Sequence, residues 1–354
     1  MPDSIVISID AMGGDKGAPL VVAGLALALE RLAGRNPRFL LHGDEAKLAP
    51  ELAKHPTVAA VSDVRHTTQI ITSDEKPAQA VRRGKGSSLW NAVASVASGE
   101  ATCAVSGGNT GALMGISLLQ LRMGGGVERP AAVASWPTIR GVTAVLDVGA
   151  NLASDAHQLV EFAIMGAAFH TAVHGGGTKR ASVGLLNVGS EETKGHDAVR
   201  EAHRLLRESD LDMDYKGFVE GNDIAMGTVD VVVTDGFTGN VALKTAEGMA
   251  RFFAQTLRET LTSTPMAKVG AVMASGALNK MKARLDPSSV NGGPLLGLNG
   301  AVVKSHGGAD AKGFANAVKM AADLASSDYA AQIARNMDKF NKMEETAKAA
   351  EVGS

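Results

Sequence analysis

The sequence predicts an α/β fold built around a mainly parallel β-sheet. Short runs rich in β-branched residues alternate with longer Ala- and Leu-rich amphipathic stretches through most of the 354 residues. Several of the short runs lead directly into a glycine- or asparagine-rich turn, as IVISI (5–9) leads into DAMGGD (10–15). This alternation is typical of βαβ units, whose right-handed crossovers make neighbouring strands parallel. We therefore expect one α/β domain over residues 1–340.

The individual elements follow from length and periodicity. The expected strands are residues 4–9, 38–42, 57–61, 102–105, 131–135, 142–147, 182–187, 216–219, 229–234 and 301–304. The expected helices are residues 18–33, 77–98, 111–122, 155–174, 195–208, 239–262, 265–285 and 311–325. Residues 341–354, rich in Ala, Lys and Glu, are expected to form a flexible tail.

One segment breaks the alternation, because residues 239–285 contain helical stretches and no convincing strand. Pro265 suits the first turn of the second helix, which predicts a helical hairpin over about 245–286 that projects from the body. Residues 251–286 carry a net charge of +4, whereas the rest of the chain carries −6. Charge and apolar residues near the tip favour a docking surface for an acidic protein or an anionic membrane. A dimer contact or ordinary helix packing remains the alternative.

Composition excludes several classes of function. The net charge is −2 and aromatic residues make up 4% of the chain, which argues against a nucleic-acid partner. A single cysteine, Cys103, rules out a disulfide framework within the chain. The N-terminus has no signal-peptide pattern and no run of about 18 apolar residues occurs, so we expect a cytoplasmic protein.

Familiar catalytic motifs are missing. The sequence has no GxSxG elbow, no GxxxxGK[ST] phosphate loop, no HExxH zinc motif and no GxGxxG after a strand. Cys103 lies in an apolar run, so we interpret it as a buried small residue rather than a nucleophile. His170 and His174 have helical metal-ligand spacing, but no acidic third ligand accompanies them. We therefore expect no metal site at this histidine pair.

The polar turns are the best candidates for a site. The carboxyl ends of parallel strands share one sheet edge, so we expect all of these turns to meet there. Their backbone N–H groups and the helix N-termini that follow suit an anion such as phosphate. Any single turn is explained equally well as a structural turn or helix cap. The turns are DAMGGD (10–15), SGGNTGALM (106–114), LDVGAN (146–151), NVGSEETKG (187–195) and DGFTGN (235–240).

Charged and polar side chains accompany the turns. Lys194 stands where a helix should begin, a position that opposes the helix dipole and therefore points to a function. His306 follows the strand 301–304 and precedes another helix. The expected anion-binding helix starts contain Asn109, Thr110 and Gly111 in one case and Gly239 and Asn240 in the other.

Taken in order, these segments resemble the bacterial phosphate acyltransferase family, which makes acyl phosphate from acyl-acyl-carrier-protein for phospholipid synthesis. The match extends over nearly the whole chain. Ser106-Gly107-Gly108 departs from the SAGNTG that is commoner in the family. The matching segments are residues 10–15, 74–88, 106–114, 128–131, 146–151, 184–195, 230–248 and 292–307.

The resemblance implies a Rossmann-like fold related to the isocitrate and isopropylmalate dehydrogenases and to the phosphotransacetylases. It implies a homodimer without metal or nucleotide, in peripheral contact with the membrane through the hairpin. The implied substrates are inorganic phosphate and a long-chain acyl thioester on acyl carrier protein. The acyl phosphate would then pass to a membrane glycerol-3-phosphate acyltransferase.

A direct attack of phosphate on the thioester is our mechanistic hypothesis, because the sequence offers no obvious nucleophile. Lys194 and Asn240 are expected to bind phosphate and stabilise charge, and His306 to bind phosphate or protonate the leaving thiolate. The helix starts at Asn109, Thr110, Gly111 and Gly239 would hold the anion, with Asp10 and Asn151 orienting the site. The residues expected to dock the carrier protein or the membrane are Lys268, Lys280, Lys282 and Arg284.

Two other functions remain open from sequence. A metal- and nucleotide-dependent decarboxylating dehydrogenase could use a related fold, although paired aspartates beside an arginine cluster are not evident. A non-catalytic scaffold could use the basic hairpin alone, but it would not need so many polar turns.

Overall fold

The structure is a computed structural model that describes residues 4–175, 180–284 and 291–352. Within these residues eleven strands form one sheet, in the order β3-β2-β1-β4-β11-β10-β5-β6-β9-β7-β8. The strands are β1 (Val6–Asp10), β2 (Arg38–Gly43), β3 (Ser62–His66), β4 (Cys103–Ser106), β5 (Ala131–Pro137), β6 (Val142–Leu146), β7 (Ser182–Leu186), β8 (Asp214–Val219), β9 (Val231–Val233), β10 (Gly293–Leu296) and β11 (Ala301–Lys304).

The helices connect these strands and cover the sheet. They are α1 (Ala18–Arg31), α2 (Glu45–Lys54), α3 (Pro56–Ala59), α4 (Pro77–Arg83), α5 (Ser88–Ala97), α6 (Thr110–Leu121), α7 (Ala156–Val173), α8 (Asp197–Glu208), α9 (Gly221–Met226), α10 (Gly236–Thr262), α11 (Pro265–Met273), α12 (Ser275–Arg284), α13 (Ala311–Ala325) and α14 (Tyr329–Val352). The expected α/β fold with a mainly parallel sheet is confirmed.

The sheet consists of two parallel halves that run in opposite directions. The first half contains β3, β2, β1, β4 and β11, and the second contains β6, β9, β7 and β8. Between them, β10 is antiparallel to both β11 and β5, and β5 is antiparallel to β6. The polar turns therefore do not all follow strands of one direction, and the expectation of a single sheet edge is wrong.

Two of the three antiparallel pairings come from connections that leave no room for a crossover helix, and the third, between β10 and β5, joins distant segments and completes the reversal. Residues 138–141 join β5 to β6, and residues 297–300 join β10 to β11. Parallel neighbours need a connection of a dozen or more residues, so links this short impose antiparallel pairing. Gly297 and Gly300 adopt positive φ angles of 84° and 155° in the second link, which suits glycine.

The largest core lies between the sheet and its helices. α7 is buried from Gln158 to His170, so it is apolar around most of its circumference rather than along one stripe. α1 and α13 pack closely, and a Cβ on Gly24 would lie 2.9 Å from the Phe314 ring. This packing fixes the helices that begin at the polar turns.

The expected hairpin segment is helical, with no strand among its described residues, but the expected second helix 265–285 is divided at Ala274 into α11 and α12. α10 packs against α11, and no residue of α11 is buried. Met266 and Met273 are 80% and 84% exposed. Among the described residues no helix combines the length and apolar character that a membrane crossing requires.

Several element predictions differ from the structure. Residues 57–61 were expected to be a strand, but Pro56 begins the short helix α3 and the strand follows as β3. The sequence did not predict β10, because it contains Pro294 and proline is uncommon within strands. The expected helix 77–98 is interrupted at 84–87, where Ser87 caps α5. Residues 341–352 continue α14, and the flexibility of the tail stays a prediction.

Candidate active site

The polar turns form two groups, one at the carboxyl ends of each half-sheet. The first turn group comprises residues 10–17, 106–109 and 304–310, after β1, β4 and β11, and α1, α6 and α13 begin there. The second turn group comprises residues 146–155, 187–196 and 234–240, and α7, α8 and α10 begin there. Each group thus places three helix N-termini after its strands, an arrangement that favours anions.

The three turns of the first group touch through their backbones. The N–H of Asp15 donates to the carbonyl oxygen of Gly307 at 3.1 Å. A Cβ on Gly107 would lie 3.2 Å from the carbonyl oxygen of Gly13, and one on Gly14 would lie 3.3 Å from that of Gly307. Glycine suits these positions because three segments of the chain approach one another closely here.

Asp10 lies at the base of the first turn group. Its side chain is buried and accepts a hydrogen bond of 2.7 Å from the Ser106 hydroxyl. Burial raises the pKa of Asp10, while the neighbouring Ser106 hydroxyl and the Lys304 ammonium group act in the opposite direction. A Cβ on Gly13 would lie 2.4 Å from Asp10 Oδ2, so this carboxylate leaves no room for a side chain at that position.

Lys304 is a half-buried cationic side chain of the first turn group, and its role is not evident from the sequence alone. Its Nζ donates to the carbonyl oxygen of Gly107 at 2.8 Å and also to that of Gly108. Burial lowers the pKa of Lys304 to about 8, against the opposing effect of Asp10 and Asp15. A lysine ending an apolar strand directly before SHGG was the available signal.

The start of α6 is held by Asn109. Its Oδ1 accepts from the N–H of Ala112 at 3.0 Å, and its Nδ2 donates to the carbonyl oxygens of Ser73 and Glu75 at 3.1 and 2.8 Å. The side chain of Asn109 is therefore engaged in the fold. The groups that this helix start can offer a ligand are the first-turn N–H groups at Asn109, Thr110 and Gly111, whose ligand role stays a prediction.

His306 lies at the surface of the first turn group. Its Nδ1 accepts a hydrogen bond of 3.1 Å from the N–H of Gly308, which assigns the proton of the neutral ring to Nε2. The exposed ring can thus donate from Nε2 to a ligand.

The second turn group is organised around Asp147. This buried carboxylate accepts from the N–H groups of Ala132, Gly149, Ala150 and Asn151 at 2.6 to 3.1 Å. The Asn151 side chain donates to Asp147 Oδ2 at 3.1 Å and to the carbonyl oxygen of Pro130 at 2.8 Å. Asn151 therefore acts as an internal brace of this turn.

Asn240 and Gly239 lie in the first turns of α10, against the same loop. Asn240 Nδ2 donates to the carbonyl oxygen of Val148 at 3.1 Å. A Cβ on Gly239 would lie only 1.9 Å from the carbonyl oxygen of Asp147, so glycine is required by close backbone approach. Asn240 is exposed in spite of this contact.

Lys194 projects from the turn between β7 and α8 and is exposed. The Lys194 N–H donates to the carbonyl oxygen of Glu191 at 3.0 Å, and Asn187 Nδ2 donates to the carbonyl oxygen of Lys194 at 3.2 Å. The backbone of this turn is thus fixed while the ammonium group can reach a ligand. The structure brings Lys194, Asn151, Gly239 and Asn240 into the second turn group, apart from Asp10, Asn109, Thr110, Gly111 and His306 in the first.

Two expected hairpin residues are exposed cations. Lys268 lies on α11 and Lys280 on α12. The side chains of Lys282 and Arg284, at the end of α12, lie outside the described residues. Met266, Val272 and Met273 expose more than 70% of their surface on the same hairpin.

Neither the cysteine nor the histidine pair offers obvious chemistry. Cys103 is buried, and burial raises the pKa of its thiol to about 12, so it is a poor nucleophile as predicted. His174 Nε2 lies 3.2 Å from the Ser135 hydroxyl oxygen, and burial lowers the pKa of His174 to about 4. Within 4–175, 180–284 and 291–352, no cluster of three or more His, Cys, Asp or Glu residues could hold a metal ion.

Comparison with known proteins gives a consistent picture. The family described as "Fatty acid synthesis protein" matches residues 5–332. A phosphate acyltransferase of Caulobacter vibrioides is 68% identical over 96% of this chain and 93% of its own length.

Solved structures share the fold. A phosphotransacetylase from Streptococcus pyogenes has a TM-score of 0.60 at 16% identity, covering 91% of this chain and 94% of its own. A 4-hydroxythreonine-4-phosphate dehydrogenase from Burkholderia phymatum has a TM-score of 0.50 at 15% identity, covering 91% and 98%. Because both an acyl-transferring enzyme and a dehydrogenase share the fold, the fold alone does not select the reaction.

Proposed function

The chain belongs to the phosphate acyltransferase family and is an acyltransferase, and from this premise we propose that it transfers a long-chain acyl group from acyl carrier protein to inorganic phosphate. The observation that carries the proposal is 68% identity to a phosphate acyltransferase over 96% of the chain. The two glycine-rich turn groups support it, since both are suited to anions. The acyl phosphate would supply phospholipid synthesis.

The proposal requires both turn groups to line one cleft. β1 and β9 lie six steps apart in the sheet order and run in opposite directions. Neighbouring strands are rotated by about 20–25°, so six steps amount to about 120–150°. A rotation of this size would turn the carboxyl ends of the two halves toward a common side. We propose that the two groups form opposite walls of the substrate cleft.

The proposed reaction is a direct displacement. A phosphate oxygen forms a bond to the thioester carbonyl carbon, the carbon–sulfur bond breaks, and the leaving thiolate accepts a proton. Positioning the two reactants can lower the barrier by roughly 7–11 kcal/mol. The burial of Cys103 supports a path without a cysteine acyl-enzyme.

We assign charge stabilisation to the second turn group. The ammonium group of Lys194 would bind phosphate, and the Asn240 amide would donate to phosphate or to the developing oxyanion. A single well-placed donor of this kind contributes about 2.7–4 kcal/mol to transition-state stabilisation. Gly239 and Asn151 keep the loop in place through Asp147.

We assign the phosphate cradle to the first turn group. The first-turn N–H groups of α6, at Asn109, Thr110 and Gly111, would donate to phosphate oxygens. His306 Nε2 would donate to phosphate or protonate the thiolate, and Asp10 would orient the turn. No metal or cofactor enters this proposal.

The hairpin is proposed to dock the macromolecular partners. The exposed cations Lys268 and Lys280, with Lys282 and Arg284, would meet an acidic carrier protein. The exposed apolar side chains would contact a second copy of the chain or the membrane surface. We propose a cytoplasmic homodimer in peripheral membrane contact, delivering acyl phosphate to a membrane glycerol-3-phosphate acyltransferase.

The test is thiol release from palmitoyl-acyl carrier protein, with and without phosphate, with hydroxylamine trapping any acyl phosphate. Phosphate-dependent release with a hydroxamate product is expected. Release that ignores phosphate would indicate a thioesterase, and no release would contradict the proposal. Palmitoyl-coenzyme A serves as the comparison donor.

A further inference from the structure

Lys304 holds the peptide groups that precede α6. Its ammonium group donates to the carbonyl oxygens of Gly107 and Gly108, two successive residues of the turn. In a trans peptide the N–H of the next residue points away from the carbonyl oxygen. Drawing both carbonyls toward Lys304 therefore directs the N–H groups of Gly108 and Asn109 away from it.

The first of these N–H groups is used inside the protein. Gly108 N–H donates to the Ser106 hydroxyl oxygen at 3.0 Å, and that hydroxyl donates to Asp10 Oδ2 at 2.7 Å. A continuous chain thus links the buried carboxylate to the turn. The second N–H, of Asn109, stands at the N-terminus of α6 beside those of Thr110 and Gly111, the donors proposed to hold phosphate.

The glycines make this arrangement dependent on Lys304. Residues 107 and 108 are both glycine, which has the widest choice of backbone conformation, so their peptide planes need an external restraint. Lys304 is placed to supply it because Lys304 and Ser106 are paired in the parallel register of β11 and β4. An ammonium group also adds positive charge beside the helix N-terminus.

We propose that Lys304 is a positioning residue for phosphate binding, which orients the amide donors of the 107–111 turn and adds positive charge to the cradle. The inference rests on the proposed function and adds a residue to it. Lys304 reaches the substrate only through the turn, so its loss should affect phosphate binding more than binding of the acyl donor.

The experiment compares the intact enzyme with K304M, K304R and the control K47M, which removes a lysine that is 62% exposed on α2. Hydroxamate formation is measured against phosphate and against acyl carrier substrate. K304M should raise the KM for phosphate by at least about tenfold, as expected when a charged hydrogen-bonding group is lost. The KM for the acyl carrier substrate should stay within twofold, as should both constants of K47M.

The pH profile separates positioning by charge from a purely structural role. Lys304 faces Asp10 and Asp15, with His306 two residues along the chain. The wild type should lose phosphate kcat/KM as pH rises through about 8, where Lys304 loses its charge. K304R should restore most of the phosphate KM at pH 7 and abolish this decline, because arginine stays charged.

Three results would overturn the inference. They are an unchanged phosphate KM in K304M, a larger effect on the acyl carrier KM, or an alkaline decline in K304R identical to that of wild type. If K304M fails to fold, the K304R profile alone decides. A wild type without phosphate-dependent turnover would instead reject the proposed function, and this inference with it.

Discussion

The Asn151 backbone N–H donates to Asp147 Oδ2 at 2.6 Å, and the Asn151 side chain donates to the same oxygen at 3.1 Å. Asp147 follows directly after β6, and its carboxylate accepts hydrogen bonds from N–H groups of the loop that faces the start of α10. One buried carboxylate therefore sets the position of the loop against which Asn240 lies.

Removing this carboxylate should destabilise the protein. Asp147→Ala leaves four backbone N–H groups without their acceptor, one buried and three half-buried. A buried unsatisfied donor costs about 1–3 kcal/mol and a half-buried one less, so we expect a total loss of at least about 3 kcal/mol. Urea unfolding followed by circular dichroism measures it. Asn151→Ala removes only the side-chain donor and serves as the milder comparison. Equal stability of D147A and wild type would contradict this account of the loop.

Gly239 should not tolerate a methyl group. Gly239→Ala places a Cβ 1.9 Å from the carbonyl oxygen of Asp147, and overpacking of this kind costs about 1–3 kcal/mol. Gly248→Ala, on the same helix with no heavy atom within 4 Å, is the matched control. It should stabilise the helix by roughly 0.5–1 kcal/mol. Thermal unfolding measures the melting temperatures of both variants. A shift of both melting temperatures in the same direction would contradict the packing argument.

Glu161 should make stability depend on pH. It is buried on α7, accepts from the Glu128 N–H at 3.0 Å, and has its pKa raised from 4.5 to about 7 by burial. A carboxyl group whose pKa is higher in the folded protein than in the unfolded chain makes the folded protein less stable as pH rises from about 4.5 to about 7. The raised pKa corresponds to about 3 kcal/mol.

Glu161→Gln tests this directly, because glutamine does not ionise. The fall in unfolding free energy between pH 5 and pH 8 should be about 2.5 kcal/mol smaller in E161Q than in wild type, because part of the Glu161 effect already lies below pH 5. His157 and Asp155, which face Glu161, are unchanged and common to both proteins. Identical pH dependence in the two proteins would show that Glu161 does not titrate in this range.

Lys194 and His306 should be energetically coupled if the two turn groups line one cleft. K194A is expected to lower turnover by at least about a hundredfold and to change stability by no more than about 0.5 kcal/mol, since the side chain is exposed. In a double-mutant cycle, K194A and H306A together should cost less than the sum of the single effects. Strict additivity would indicate two independent sites.

The hairpin cations should govern recognition of the carrier protein. The double variant K268E/K280E should raise the KM for acyl carrier substrate by about tenfold or more and leave the KM for phosphate unchanged. K342E, which reverses a side chain 70% exposed on α14, is the control. An unchanged carrier KM in the hairpin variant would place carrier docking elsewhere.

The fold class and the projecting hairpin could be predicted from sequence because both depend on local periodicity. The reversal between the half-sheets could not, since it depends on β10, whose Gly293-Pro294 start lacks strand composition, and on pairing between distant segments. For the same reason the turns were expected at one edge.

Within the candidate site, turn composition indicated the polar residues but not their partners. Asn109 and Asn151 are engaged with the fold itself, as a helix cap and a loop brace. Lys304 could not be identified from the sequence, because its contact with Gly107 exists only where β11 pairs with β4. The roles of Lys194, Asn240 and His306 stay predictions.

The most direct measurement of the central claim uses phosphate labelled with oxygen-18 and palmitoyl-acyl carrier protein as donor, with the products analysed by mass spectrometry. We expect palmitoyl phosphate that retains the full label of the phosphate, formed in step with free carrier thiol. Palmitic acid carrying solvent oxygen, with the labelled phosphate unchanged, would contradict it.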